Sequence, residues 1–184
     1  MIVRRNAGAT PPLDAEARRG RYDVLARCGR DILLFIRCAD GRILEVNDAA
    51  VKAYGYTRDE LLRMTIRDLR APDTRGEVAR QVEIAGKRGI LFETRHIRKD
   101  GSEFPVEVSS QGASIEGTAT LLSIVRDITG RKQAEEAMRL SEEKFAKIFE
   151  SNPMAICLTR VSDGRIIDAN PAFTEIAGYS REEF

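Results

Sequence analysis

Ile32-Leu33-Leu34-Phe35-Ile36-Arg37-Cys38-Ala39-Asp40-Gly41-Arg42-Ile43-Leu44-Glu45-Val46-Asn47 holds two apolar runs separated by a polar break. Five apolar residues, Ile32–Ile36, stop at Ala39-Asp40-Gly41, and Arg42–Val46 then resumes a strand-like run. Two such runs around a D-G turn predict a β-hairpin. Asn47 follows where a helix can start, with a side-chain oxygen able to accept a free first-turn N–H. That helix is expected to end near Gly55. Thr57-Arg58-Asp59-Glu60 then has the spacing of a capping box, in which threonine and glutamate each bond the other's backbone N–H.

The same stretch occurs twice. Shifting the sequence by 123 positions lays Asp31–Leu61 on Met154–Phe184 without a gap. Arg37/Arg160, Asp40/Asp163, Gly41/Gly164, Arg42/Arg165, Ile43/Ile166 and Asn47/Asn170 are identical. So are Ala49/Ala172, Gly55/Gly178, Tyr56/Tyr179, Arg58/Arg181 and Glu60/Glu183. The period far exceeds the 20–50 residues of a solenoid, so it predicts tandem domains. The second copy stops at Phe184, before the partners of its hairpin and helices, and the chain is expected to be part of a longer one.

Outward from the first hairpin, residues 1–17 read as a loose tail and 18–29 as a short helix. Thr65–Leu69 is expected to form one helical turn and Asp73–Lys87 a longer helix with Val78, Val82 and Ala85 on one face, ended by Gly89. Three strands should follow: Ile90–Lys99, Glu103–Ser110 and Thr118–Ile128. In the middle one Phe104, Val106 and Val108 alternate with Pro105, Glu107 and Ser109, the pattern of a half-buried strand. The order predicts an α+β fold, an antiparallel sheet covered on one face by helices. Residues 130–151 turn rich in Lys, Gln, Glu and Ala, with Ala134, Met138, Ser141, Phe145 and Ile148 at coiled-coil spacing. A short coiled-coil seam and a solvated connecting helix are both open there.

Composition excludes several classes. Apolar residues are 42% and charged residues 32%, and 30 Lys and Arg stand against 29 Asp and Glu. That balance gives no general attraction for nucleic acid or membrane. Cys28, Cys38 and Cys157 form no C-x-x-C pair, so neither a zinc knuckle nor a disulfide framework is indicated. The chain start lacks the apolar region of a signal peptide, and no stretch approaches the ~20 apolar residues of a membrane span. A soluble, cytoplasmic protein with reduced cysteines is expected. His96 is the one histidine, on a predicted strand, where a surface or semi-buried role is expected. With no phosphate-binding glycine loop and no kinase or cyclase motif, no catalytic residues are assigned.

Asp40-Gly41-Arg42-Ile43, Asn47, Tyr54–Leu61, Arg98-Lys99-Asp100-Gly101, Phe104-Pro105-Val106 and Arg126-Asp127-Ile128-Thr129 follow in an order and spacing that resemble the PAS sensory domains with their PAC segment. Asp163–Ile166, Asn170-Pro171 and Gly178–Glu183 repeat the opening part. The resemblance implies a five-stranded antiparallel sheet with helices on one face for residues 18–129. A connecting helix over 130–151 and a truncated second domain over 152–184 follow. It implies a sensory module that detects a small ligand, redox state or partner and relays it to an output domain in the same chain. A sensor histidine kinase is the commonest setting. The alternative is a dimerisation module with no ligand, in a diguanylate cyclase or transcriptional regulator.

Cofactors implied by the family divide on residues. Haem-binding relatives carry a histidine on the long helix, where this chain has none, with Glu77 or Val78 in that region. Cysteinyl-flavin relatives carry Asn-Cys-Arg, where this chain has Thr65-Ile66-Arg67-Asp68-Leu69. Both are disfavoured, no metal site is expected, and the cofactor stays unknown. The pocket candidates are Leu33, Phe35, Val78, Val82, Phe92, Val106, Val108, Leu121 and Ser123, with a packed core as the competing reading. Leu33 and Phe35 are pointed inward because Ile156 and Leu158 keep those positions apolar in the second copy. Leu122 and Ile124 are expected on the open face, where a homodimer or the 18–29 segment would cover them. Asp127 and Thr129 are the expected relay at the exit of the last strand.

Overall fold

A computed structural model of the chain describes residues 29–180 and 183. The expected tail at 1–17 and nearly all of the expected helix at 18–29 lie outside the described residues. The chain divides after Thr129 into two compact units.

The first unit is built on five strands: β1 Ile32–Arg37, β2 Ile43–Val46, β3 Ile90–Ile97, β4 Glu103–Ile115 and β5 Thr118–Asp127. All neighbours are antiparallel, in the order β2-β1-β5-β4-β3. Between β2 and β3 run α1 (Asp48–Tyr54), α2 (Arg58–Leu61), a 3₁₀ helix (Pro72–Glu77) and α3 (Val78–Arg88). Local chemistry sets these boundaries. Gly41 sits at φ 71°, the left-handed conformation that the β1–β2 turn needs, and Asp40 Oδ1 accepts from Arg42 N at 3.1 Å. Asn47 Oδ1 accepts from Ala50 N at 3.0 Å, starting α1. Thr57 and Glu60 form both halves of a capping box at α2. Gly89 closes α3 by donating its N–H to Ala85 O.

Two segments differ from expectation. Thr65–Leu69 forms turns rather than a helical turn, fixed by Asp68 Oδ2 accepting from both Thr65 N and Thr65 Oγ1. A threonine and an aspartate three residues apart bond each other here in place of a helix. The expected Asp73–Lys87 helix begins as 3₁₀ and becomes α-helical only at Val78.

The core lies between the sheet and the helices. Ile32, Leu34 and Ile36 of β1 are buried, as are Phe104, Val106 and Val108 of β4 and Leu121 and Val125 of β5. Ala50, Tyr54, Leu61, Ile66, Leu69, Val78 and Ala85 cover them. The inward assignment of Leu33 and Phe35 is therefore corrected: both are half-buried residues of the opposite face. Cross-strand register gives the reason, since directly opposed residues share a face. Leu34 pairs with Ser123 and Ile36 with Leu121, whereas Leu33 pairs with Ile124 and Phe35 with Leu122. An apolar run of five fits either parity, and apolar character is kept in the second copy on the outer face as well.

The second unit takes α4 (Thr129–Ser151) from Gly130 onward and continues as β6 (Cys157–Thr159), β7 (Ile166–Ala169) and α5 (Pro171–Ala177). Its hairpin copies the first down to hydrogen bonds. Asn47 Oδ1 also accepts from Leu33 N at 3.0 Å while its Nδ2 donates to Asp31 O at 2.9 Å. Asn170 Oδ1 accepts from Phe173 N and Ile156 N at 3.0 and 2.8 Å, and its Nδ2 donates to Met154 O at 2.9 Å. One amide thus ties the start of the hairpin to the helix after it in both copies. Both hairpins carry a register irregularity at matching positions, Phe35/Ile36 and Leu158/Thr159. On α4, Arg139 pairs with Glu136 and Glu143, while Met138, Phe145 and Ile148 are exposed.

Candidate functional site

Between α3 and the inner face of the sheet lies a small cavity of about 20 Å³. The sheet contributes Ile36 from β1, Leu121, Ser123 and Val125 from β5, Val108 and Ser110 from β4, and Phe92 and His96 from β3. Val78, Gln81, Val82 and Ala85 close it from α3, with Ile66 and Arg70 from the turns before. Of the residues expected to line a pocket, Val78, Val82, Phe92, Val108, Leu121 and Ser123 do so. Val106 is buried in the core beside it, and Leu33 and Phe35 are across the sheet. A volume this size accommodates about one water molecule.

The polar groups in this cavity come mainly from residues that sequence reasoning did not select. Ser123, the expected polar member, is satisfied by its neighbour strand: its Oγ lies 2.7 Å from Ser110 Oγ. Arg70 is only 3% exposed. Its Nη2 donates to Gln81 Oε1 at 2.7 Å, and its guanidinium lies 5.0 Å from the centre of the Phe92 ring. Gln81 Nε2 passes the link on to Glu77 Oε2 at 2.9 Å. His96, read from sequence as surface or semi-buried, is fully buried, and Tyr54 Oη lies 2.6 Å from its Nδ1. Tyr54 and Phe104 pack around the imidazole, with ring centres 5.8 and 6.2 Å away.

Charge in this cluster follows from burial. Desolvation, aided by the Arg70 cation, holds His96 well below the usual histidine range, so the imidazole is neutral at pH 7. Burial pushes the Tyr54 phenol far up, so it stays protonated. Burial also brings Arg70 down to about 10, which leaves it charged at neutral pH. Arg70 Nε and Nη1, His96 Nε2 and Thr94 Oγ1 are buried with no hydrogen-bond partner among the described residues. A buried charge with unmade bonds costs several kcal/mol, and such groups call for water, an ion or a ligand.

Sequence signals existed for two of these. His96 shares the inward parity of Phe92 and Thr94 on β3, and Gln81 stands among Val78, Val82 and Ala85 on α3. Arg70 lies in irregular chain, where periodicity carries no information.

Beside the cavity an open groove of about 1030 Å³ runs between α3 and the β4–β5 hairpin. Ile66, Val78 and Val82 line both spaces. They are the wall between them. At the end of β5, Asp127 Oδ1 accepts from Thr129 N and Thr129 Oγ1 at 2.8 and 2.5 Å. Its Oδ2 meets Arg98 Nη2 at 3.2 Å. Arg98 also donates to Ala53 O at 2.9 Å and stacks on Phe104, 3.7 Å from the ring centre. The strand exit is thereby fixed to α1, to β4 and to the start of α4.

A five-stranded antiparallel sheet in this order, with helices on one face and a capped exit from the last strand, matches a known family. The PAS domain model matches residues 31–130, and a second PAS domain model matches 143–184. The chain belongs to the PAS domain family. Among solved structures, the PAS domain of an HTR-like protein from Haloarcula marismortui is 29% identical. It covers 61% of this chain and 93% of that one, with a TM-score of 0.56. A domain of the sensory box sensor histidine kinase/response regulator from Geobacter sulfurreducens is 25% identical, covering 62% and 98%, with a TM-score of 0.55.

Curated relatives of this PAS chain are sensors and kinases. The methyl sulfide methyltransferase-associated sensor of Methanosarcina acetivorans is 29% identical across 82% of this chain and 14% of its own length. Sporulation kinase E of Bacillus subtilis is 30% identical across 78% and 19%. The chain spans less than a fifth of the length of these relatives. It is a sensory PAS region, similar to those of sensor kinases. Among the described residues no helix is long and apolar enough to cross a membrane.

Proposed function

We propose that this PAS region is a cytoplasmic sensor whose inner cavity takes a small molecule, and that β5 carries its occupancy into α4 and on to an output domain. A sensor histidine kinase is the setting that the relatives favour, since sporulation kinase E and the sensor histidine kinase TmoS of Ectopseudomonas mendocina are similar along this chain. One observation carries the reading: β5 supplies both ends of the relay. Leu121, Ser123 and Val125 line the cavity at alternate positions, and two residues on Asp127 holds the first residue of α4. A shift of that strand at the cavity reaches the helix without passing through a flexible loop. In the complete protein, alanine at Asp127 and Thr129 together should leave the fold intact and uncouple output from stimulus. Unchanged stimulus-dependent output would sink the relay.

A second reading rests on the open face of the sheet. Leu122 and Ile124, 36% and 39% exposed, lie opposite the half-buried Phe35 and Leu33. Four large apolar side chains together suit a dimer contact. In that case Leu122→Ser with Ile124→Ser should convert a dimer to a monomer by light scattering, and a wild-type protein already monomeric at high concentration refutes it.

A further inference from the structure

The strongest unexplained feature of the cavity is its positive charge. Arg70 brings a guanidinium that is charged at neutral pH into a space otherwise walled mainly by aliphatic side chains. No carboxylate among the described residues pairs with it directly. Glu77 is reached only through Gln81. Two of its nitrogens, Nε and Nη1, have no partner among the described residues, and neither has Nε2 of His96, whose backbone bridges that of Arg70. These are three polar atoms on two residues that are 3% and 0% exposed. A single water can accept from the arginine and donate to Nε2 in one imidazole tautomer, but it leaves the charge uncompensated.

From this donor set we infer that the cavity binds a small carboxylate anion, its head on Arg70 and His96 and its short aliphatic tail against Val78, Val82 and Ile66. The inference rests on the sensor reading above and names its ligand class. A carboxylate has acceptor sites for both the arginine and the imidazole and meets the guanidinium in charge-assisted bonds. It also selects one imidazole form: the Tyr54 hydroxyl donates to Nδ1, which leaves the proton on Nε2 to donate to the anion. A neutral amide of the same shape supplies no charge to offset the arginine.

Size sets a condition. About 20 Å³ admits a water but not a short fatty acid, so binding must enlarge the space. The wall facing the open groove is where it can yield, because Ile66, Val78 and Val82 line both spaces. Val82 is already half-buried, and no side chain caps the 3₁₀ helix or α3 at its start. The tail then points toward the groove, and α3 moves outward as it enters.

The test uses the whole 184-residue chain, with propionate and butyrate as probes and propionamide and butyramide as neutral counterparts at constant ionic strength. Thermal shift and calorimetry should show saturable binding of the carboxylates and at least tenfold weaker binding of the amides. Arg70→Met should abolish the difference. If that variant does not fold, the carboxylate-against-amide comparison on the wild-type protein decides alone. Equal binding of both probes overturns the anion assignment and leaves the sensor reading standing. So does binding of neither, where mass spectrometry of the denatured protein finds a neutral molecule released. Binding of neither with nothing released overturns both.

Discussion

His96 shows how one buried side chain turns packing into a measurable dependence on pH. Folding holds it neutral, whereas in the unfolded chain it takes up a proton near the ordinary histidine value of about 6.5. Below that pH the unfolded state binds more protons, so the stability due to neutral His96 is full above about 6.5 and falls as pH drops toward the depressed folded value. The loss is at most about 1.4 kcal/mol per pH unit. Urea midpoints at pH 7.5 and 5.5 should therefore separate in the wild type and converge in His96→Asn, which keeps an acceptor for Tyr54. A second residue-level test follows from the parity of β1. Leu34 is fully buried and Leu33 is not, so Leu34→Ala should cost about 2–5 kcal/mol and Leu33→Ala much less. Equal losses in denaturant titration would restore the inward position of Leu33. The sequence left this parity undecided because Ile32–Ile36 is apolar on both faces, and only pairing with β5 tells the faces apart.

At the scale of elements, α3 and β4 meet at two glycines. A Cβ on Gly112 would lie 2.6 Å from the carbonyl oxygen of Gly86 and 2.9 Å from its Cα. Backbone cannot give way as a flexible side chain can, so Gly112→Ala must push α3 off the sheet. The expected cost is about 1–3 kcal/mol, with faster amide exchange along Val78–Arg88. A Gly112→Ala protein with wild-type exchange in α3 would show that helix and sheet can separate freely. The elements themselves were legible to different degrees. The hairpin, the Asn47 cap, the capping box at Thr57 and the alternation of β4 are local features, written in adjacent residues. The turn at Thr65–Leu69, the 3₁₀ start before α3 and the place of Arg70 depend on tertiary contacts. Arg70 N donates to Arg67 O, and its backbone bridges that of His96, 26 positions along the chain. No period in the sequence marks such a residue as buried.

For the molecule as a whole, one strand, β5, runs from the charged cavity to the start of a helix. The repeat shows which parts the fold itself requires: the asparagine clamp, the D-G turn and the register irregularity recur in the second unit. Arg70, Gln81 and His96 lie beyond the repeated stretch. The relay can be tested without knowing the natural ligand, because Arg70→Met removes the buried charge and so perturbs the cavity from within. Hydrogen exchange of the full chain, read at residues 128–132, is the most direct measurement. Arg70→Met should change protection there as well as around the cavity, and adding Asp127→Ala should remove the distant change while keeping the near one. A change confined to the cavity walls, with residues 128–132 untouched, would contradict the relay.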